Sequence, residues 1–300
     1  MSAVEGVAAP ETRPQRVGNG SQPRVAVVIG SGSVKCAAAL GLLKVLQREK
    51  IAIDLLVGCS GGSLYAALMG LGYEVAVAEE MTRRLWTKEL TRKRSRMAFV
   101  RAFMPGVKFH ERFGLVNDRL ILQRLRAAFG DRTIESATTP LFLTATDFHT
   151  GEQVVFRSGP VADAVRASIA IPYVFEPWEI GGRLLVDGFL SDPMPVGVAM
   201  KEGADIIVTM GFESPYQANV TSLLRFAFQL SSITSNNLLR AKFSFHNLAH
   251  HNEIIPIVPK FSERIGLFDT HRIPYVIEEG ERATEEQLPY LRRLLAAPRA

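Results

Sequence analysis

Val25-Ala26-Val27-Val28-Ile29 is an apolar run with no polar alternation, and it ends at the small-residue stretch Gly30-Ser31-Gly32-Ser33. Such a run is what a strand buried on both faces requires, and strands of that kind belong to parallel sheets covered by helices. Leu40, Leu43, Val45 and Leu46 then mark the apolar side of a helix over Ala37–Gln47. The pattern repeats at once. Ile53–Val57 reads as a second strand, Gly58-Cys59-Ser60-Gly61-Gly62 as a sharp turn, and Leu64, Ala67 and Leu68 as the buried side of a helix starting at about Ser60. Strand, glycine-rich turn and helix, taken twice, specify a βαβα unit. The expected fold class is α/β: three layers, α/β/α, around a mainly parallel central sheet.

The rest of the chain extends that plan. Tyr73–Arg132 reads as helical and strongly basic, and Leu141–Thr146 and Gln153–Arg157 read as strands around a turn at His149-Thr150-Gly151. Asp163–Ala170 is expected to be a helix, Leu184–Val186 a short strand leading into Asp187-Gly188, and Ile206–Met210 another buried strand. Thr221–Leu248 has the pattern of one amphipathic helix, Ile254–Val258 of a last strand, and Glu285–Leu295 of a closing helix. Met1–Pro23, rich in Ala, Gly, Pro and polar residues, is expected to be a disordered leader. Residues 24–212 are expected to form the main domain, with 213–300 a helical extension packed on it.

Composition narrows the classes. Two cysteines, Cys36 and Cys59, preclude a disulfide framework and point to reduced thiols. The chain has no apolar run of about 18 residues, so no transmembrane helix is expected. Its start lacks the basic and apolar regions of a secretory signal, which favours a cytoplasmic location. The formal charge of +5 favours anionic partners. The six histidines have no metal-ligand spacing, so neither metal nor cofactor is expected.

Chemistry concentrates in three segments. A serine between strand and helix, with Gly58 two residues before it and Gly62 two after, is the nucleophile-elbow pattern. The serine takes a strained backbone conformation there, and glycine permits the close approach on either side. The loop Gly30-Ser31-Gly32-Ser33-Val34-Lys35 can expose consecutive backbone N–H groups to an oxyanion or a phosphate. As a dinucleotide fingerprint it fails, because Lys35 stands in the place of the third glycine. Asp187-Gly188, at a strand end, can reach into a cleft.

These segments, in this order, resemble the patatin-like phospholipases. Ala167-Ser168-Ile169-Ala170-Ile171-Pro172-Tyr173-Val174-Phe175-Glu176-Pro177, Leu185-Val186-Asp187-Gly188 and Asp192-Pro193-Met194-Pro195 resemble the bacterial branch, and Thr144-Ala145-Thr146-Asp147 with Thr150-Gly151 fit as well. The similarity covers about Arg24–Met210. It implies a lipid acyl hydrolase with Ser60 as nucleophile, Asp187 as general base, and an oxyanion hole from Gly30, Ser31, Gly32, Ser33 and Lys35. Gly58 and Gly62 would shape the elbow and Gly188 would support the dyad. Ser31, Ser33 and Cys36 replace glycines of the family's loop, Lys35 stands where Arg is usual, and Phe189 follows Asp187-Gly188 where Gly or Ala is usual.

The implied partner is a phospholipid or other lipid ester, with possible peripheral contact to an anionic membrane surface; no nucleic acid is expected. Membrane contact has two candidates: the basic segment Arg83–Arg101 with Trp86, Phe99 and Phe103, and the apolar residues Leu223, Leu224, Phe226, Phe228 and Leu230, for which core packing is the competing role. Two other readings stay open. One is an α/β-hydrolase triad, Ser60–Asp187 with His250 or His271. The other is a non-catalytic lipid-binding module on the same fold.

Overall fold

The computed structural model describes residues 23–85, 87, 110–116, 118–212, 216, 219–249, 253–263, 265–266 and 269–296, with side chains at 223, 224, 243 and 245–249 excepted. Eight strands form one sheet: β1 (Val25–Ile29), β2 (Leu55–Cys59), β3 (Leu141–Asp147), β4 (Gln153–Phe156), β5 (Trp178–Ile180), β6 (Arg183–Asp187), β7 (Ile206–Met210) and β8 (Glu253–Ile257). The order is β5-β6-β3-β2-β1-β7-β8, with β4 paired to β3 off this path. Pairs from β3 through β2, β1 and β7 to β8 are parallel, whereas β4, β5 and β6 pair antiparallel. The helices are α1 (Ala38–Arg48), α2 (Gly61–Gly70), α3 (Val75–Leu85), α4 (Asp118–Phe129), α5 (Val161–Ser168), α6 (Val196–Lys201), α7 (Leu223–Ala249) and α8 (Ile273–Ala296).

Side-chain alternation on β1 separates the two helical layers. Val25, Val27 and Ile29 join one core with residues of α1, α2 and α8. Ala26 and Val28 face the other way, into a core with Val196, Val198 and Ala199 of α6 and Leu239 of α7. Both faces are therefore covered, which is why β1 reads as a continuous apolar run.

The two turns that matter chemically are set by β3. Leu143 and Thr144 have partners in both β2 and β4, and Ala145 and Thr146 have partners in both β4 and β6. A strand has only two edges, so β2 and β6 follow one another along the same edge of β3. Cys59 faces Thr144 and Asp187 faces the next residue, Ala145. Register alone thus puts Asp187 beside the residue that follows Cys59, which is Ser60.

Several boundaries differ from the sequence expectation. β2 runs on through Gly58 and Cys59 because both still pair with β3. β6 includes Asp187 itself, and the short strand β5, which carries the exposed Glu179, was not expected. A 3-10 turn over Ser33–Ala37 precedes α1. Tyr73–Arg132 holds two described helices, α3 and α4. In the basic segment, Arg83 pairs with Glu79 at 2.7 Å and Arg84 with Glu80 at 2.8 Å; 86, 88–101 and 103 lie outside the described residues. The expected leader also lies outside them, apart from Pro23. No described helix is long and apolar enough to cross a membrane.

The largest difference is α8, which begins at Ile273 and not at Glu285. Pro274 and Gly280 hide its first half from a sequence reading. Proline is tolerated in a first helical turn, and Gly280 is where α8 crosses α1. A Cβ at Gly280 would stand 2.1 Å from the Ala38 carbonyl oxygen, and one at Gly41 would stand 2.2 Å from that of Ile277. Two glycines thus bring the helix backbones into contact. Gly280→Val is therefore expected to lower the unfolding free energy by about 3 kcal/mol. Glu278→Ala, on the exposed side of the same helix, should stay within about 0.5 kcal/mol of wild type in the same urea titration.

Candidate active site

Ser60 sits between β2 and α2 with φ 54° and ψ −129°. A non-glycine residue held in this sparsely populated region carries about 1–3 kcal/mol of strain, so the surroundings must over-determine it. They do so from three sides. The Ser60 N–H donates to Ser168 Oγ at 2.8 Å. The Ser60 carbonyl accepts from Ser63 N at 2.9 Å and from Ser63 Oγ at 2.6 Å. Below the turn, Gly62 lies so close to the end of β1 that a Cβ would come within 2.3 Å of the Ile29 oxygen and 2.5 Å of the Gly30 oxygen. The elbow therefore rests on the loop that follows β1, and only glycine fits between them.

The hydroxyl of Ser60 donates to Asp187 Oδ2 at 2.7 Å. No imidazole stands between them. The second carboxylate oxygen, Oδ1, accepts from Phe189 N at 3.0 Å. The Asp187 backbone is pinned as well: its N–H donates to the Ala170 carbonyl at 3.0 Å, and its own carbonyl accepts from Thr146 Oγ1 at 2.9 Å. Asp187 has no exposure to solvent and Ser60 only 5%. Burial raises the Asp187 pKa from 3.8 to about 7, and the hydrogen bonds from Phe189 and Ser60 offset only part of that rise. Such a carboxyl is half ionised near neutral pH, where an acid–base group is most effective.

His271, one of the two histidines of the alternative triad, makes no contact with Ser60 or Asp187 among the hydrogen bonds of the described residues. His271 is exposed at the start of the segment leading into α8, and His250 is outside the described residues. Among the described residues, no three His, Cys, Asp or Glu side chains gather as metal ligands.

The loop after β1 divides into donors already used and donors left over. The Gly30 N–H donates to the Met210 carbonyl at 3.0 Å and the Ser31 N–H to the Pro193 carbonyl at 2.9 Å, so neither can serve an oxyanion as the sequence reading expected. The Lys35 N–H is likewise directed to the Gly32 carbonyl at 3.2 Å, and its ammonium lies 5.9 Å from the centre of the Phe212 ring. The first two bonds fasten the loop to Met210 at the end of β7 and to Pro193. The Gly32 N–H makes no hydrogen bond within the described residues. Ser33, at φ 53°, touches the elbow: a Cβ on Gly61 would lie 2.7 Å from Ser33 N. Gly61 is the first residue of α2, where backbone N–H groups have no intrahelical acceptor and the helix dipole favours negative charge.

Gly188 lies where a Cβ would meet the Thr144 oxygen at 2.6 Å, so the turn after Asp187 is also sterically closed. Phe189 contributes its backbone N–H to Asp187. Cys36 and Cys59 are buried and donate to the carbonyls of Gly30 and Asp192, each at 3.3 Å. Burial pushes both thiols upward, away from the thiolate form a nucleophile needs. Ser168 and Thr146 have contacts that no local pattern marks. Both stand in stretches quoted for their family resemblance, but their hydrogen bonds to Ser60 and Asp187 arise only from the packing of α5 and β3.

Comparison with known proteins bears on the family and the fold. The family model described as patatin-like phospholipase matches residues 27–200, from β1 through α6. An uncharacterized NTE family protein of Mycobacterium tuberculosis is 33% identical over 195 residues, covering 65% of this chain and 51% of that protein. A second from the same organism is 28% identical, covering 87% of this chain and 46% of the other. The chain spans about half the length of these curated relatives. Neuropathy target esterase sws of Drosophila melanogaster is 25% identical over 202 residues, 66% of this chain and 13% of that one. Among solved structures, VipD from Legionella pneumophila superposes with a TM-score of 0.51 at 13% identity, over 90% of this chain and 67% of that chain, a likeness of fold. With more than half its length matched by the family model, the chain belongs to the patatin-like phospholipase family.

Proposed function

We propose that this chain is a serine lipid acyl hydrolase of phospholipase A, lipase or esterase type, in which Ser60 is the nucleophile and Asp187 its direct general base. The observation that carries this reading is the 2.7 Å hydrogen bond from a strained, glycine-flanked serine to a buried carboxylate. Family membership supports the lipid ester as substrate.

The cycle balances with water as the only co-substrate. Asp187 Oδ2 takes the Ser60 proton as Oγ attacks the ester carbonyl carbon, and the carbonyl oxygen becomes an oxyanion. The Gly32 N–H, which has no other partner among the described residues, and the Gly61 N–H at the start of α2 are the donors assigned to that oxyanion. The tetrahedral adduct collapses, the Asp187 proton passes to the departing alkoxide, and an acyl-serine remains. Water then gives a proton to Asp187 and attacks the acyl carbon. The second collapse releases the fatty acid and returns the proton to Ser60. One oxyanion donor of this kind is typically worth about 3 kcal/mol. The proposed catalytic residues all fall within 24–212, the expected main domain, while 213–300, expected as a helical extension, also supplies β8 to the same sheet and α8 to the same core.

A fluorophosphonate probe tests the nucleophile directly. It should label the wild type and leave Ser60→Ala unlabelled, while Asp187→Asn should label at least about 100-fold more slowly. Equal labelling of Ser60→Ala would refute the assignment. Base catalysis also sets a pH dependence. Asp187 acts only when ionised, so kcat/KM for a soluble ester should rise through pH 7 and level off above it. Below pH 7 it should fall about tenfold per unit. A profile already flat from pH 5 upward would contradict a base with this pKa.

A further inference from the structure

α7 carries its apolar side chains on the wrong side for a helix that serves only the protein core. Phe226, Leu230 and Ile233 stand at i, i+4 and i+7 and so share one face, where they are 51%, 49% and 39% exposed. Tyr216 and Val220, just before the helix, are exposed as well. The opposite face is the buried one, and it is largely polar. Ser232, Ser235 and Asn236 are buried there, and Lys242 Nζ reaches Asp192 Oδ2 at 3.2 Å. Among the described side chains of α7, Phe228 and Leu239 pack into the two cores. Of the five residues Leu223, Leu224, Phe226, Phe228 and Leu230, core packing thus accounts for Phe228 but not for Phe226 or Leu230; the side chains at 223 and 224 lie outside the described residues.

Charge indicates what the outer face meets. Leu223–Ala249 contains no Asp or Glu, and its charged residues are Arg225, Arg240 and Lys242. A helix with an apolar stripe, basic flanks and no acidic residue fits the interface of an anionic bilayer. The inner face is tied through Lys242 to Asp192, in the same turn as Asp187. We propose that the Phe226–Leu230–Ile233 face of α7 docks on an anionic lipid surface and so brings the Ser60 site to its substrate. The proposal rests on the lipid hydrolase reading for its purpose, but not for its geometry.

The 300-residue chain carrying Ser60→Ala, which leaves vesicles intact, should float with vesicles made of phosphatidylcholine and phosphatidylglycerol in equal parts, and less with phosphatidylcholine alone. Adding Phe226→Ser, Leu230→Ser and Ile233→Ser should lower binding by at least about tenfold. In the otherwise wild-type chain, the same three changes should leave turnover of soluble p-nitrophenyl butyrate within about twofold, which also reports a folded site. Undiminished vesicle binding by the triple variant, or no binding by the parent, would overturn the proposal. A dimer that the triple variant converts to monomer would assign the face to a second copy and overturn it too. Vesicle binding that depends on the stripe, in a protein that cleaves no ester, would uphold the docking face while sinking the hydrolase reading.

Discussion

The hydrogen bond from Ser60 to Asp187 is the contact on which the rest of the site depends, and it follows from strand register. The two residues are 127 positions apart in sequence. They meet because β2 and β6 occupy successive stretches of one edge of β3, with Cys59 opposite Thr144 and Asp187 opposite Ala145. A slip of one residue in either pairing would turn the side chain to the other face of the sheet and end the contact. The antiparallel β6 thus has a chemical reason within a sheet that is otherwise parallel at its centre.

Electrostatics then gives the pair its character. Asp187 is wholly buried, with two hydrogen bonds and no cation as counter-charge among the contacts that shift its pKa. Desolvation dominates, and the carboxyl is held at about 7. Asp147, five positions along β3 from Phe142, shows the contrasting outcome: the Arg183 guanidinium and the Thr150 and His149 amides hold it at about 2. The same residue type is therefore fully ionised at neutral pH in one place and only half ionised in another. Strain at Ser60 and an ionisable group in the interior both oppose folding. The close crossing of α1 and α8 at Gly41 and Gly280 and the two cores on either side of β1 supply the packing that offsets them.

Much of this was legible in the sequence where the controlling interactions are local. β1 and β7 are buried on both faces, so their apolar runs mark their limits, Val25–Ile29 and Ile206–Met210. The elbow was legible because its five-residue pattern lies between a strand and a helix, although Gly62 answers to a distant contact, the Ile29 and Gly30 oxygens at the end of β1. Asp187 was not distinctive alone, since an Asp-Gly at a strand end is a common turn; only the resemblance raised it. The first half of α8 was not expected, and the contact that requires Gly280 is with Ala38, far away in sequence. The amides of Gly30 and Ser31 looked available because their acceptors, Met210 and Pro193, are distant in sequence. Ser168 was missed for the same reason.

The central claim is that Asp187 is a buried carboxyl poised near neutrality and in direct contact with Ser60. A titration of the aspartate 13Cγ resonances by NMR, with Asp187→Asn to assign the signal, measures it. The expected midpoint for Asp187 is near pH 7. A midpoint near 4, the ordinary value for a solvated aspartate, would contradict it.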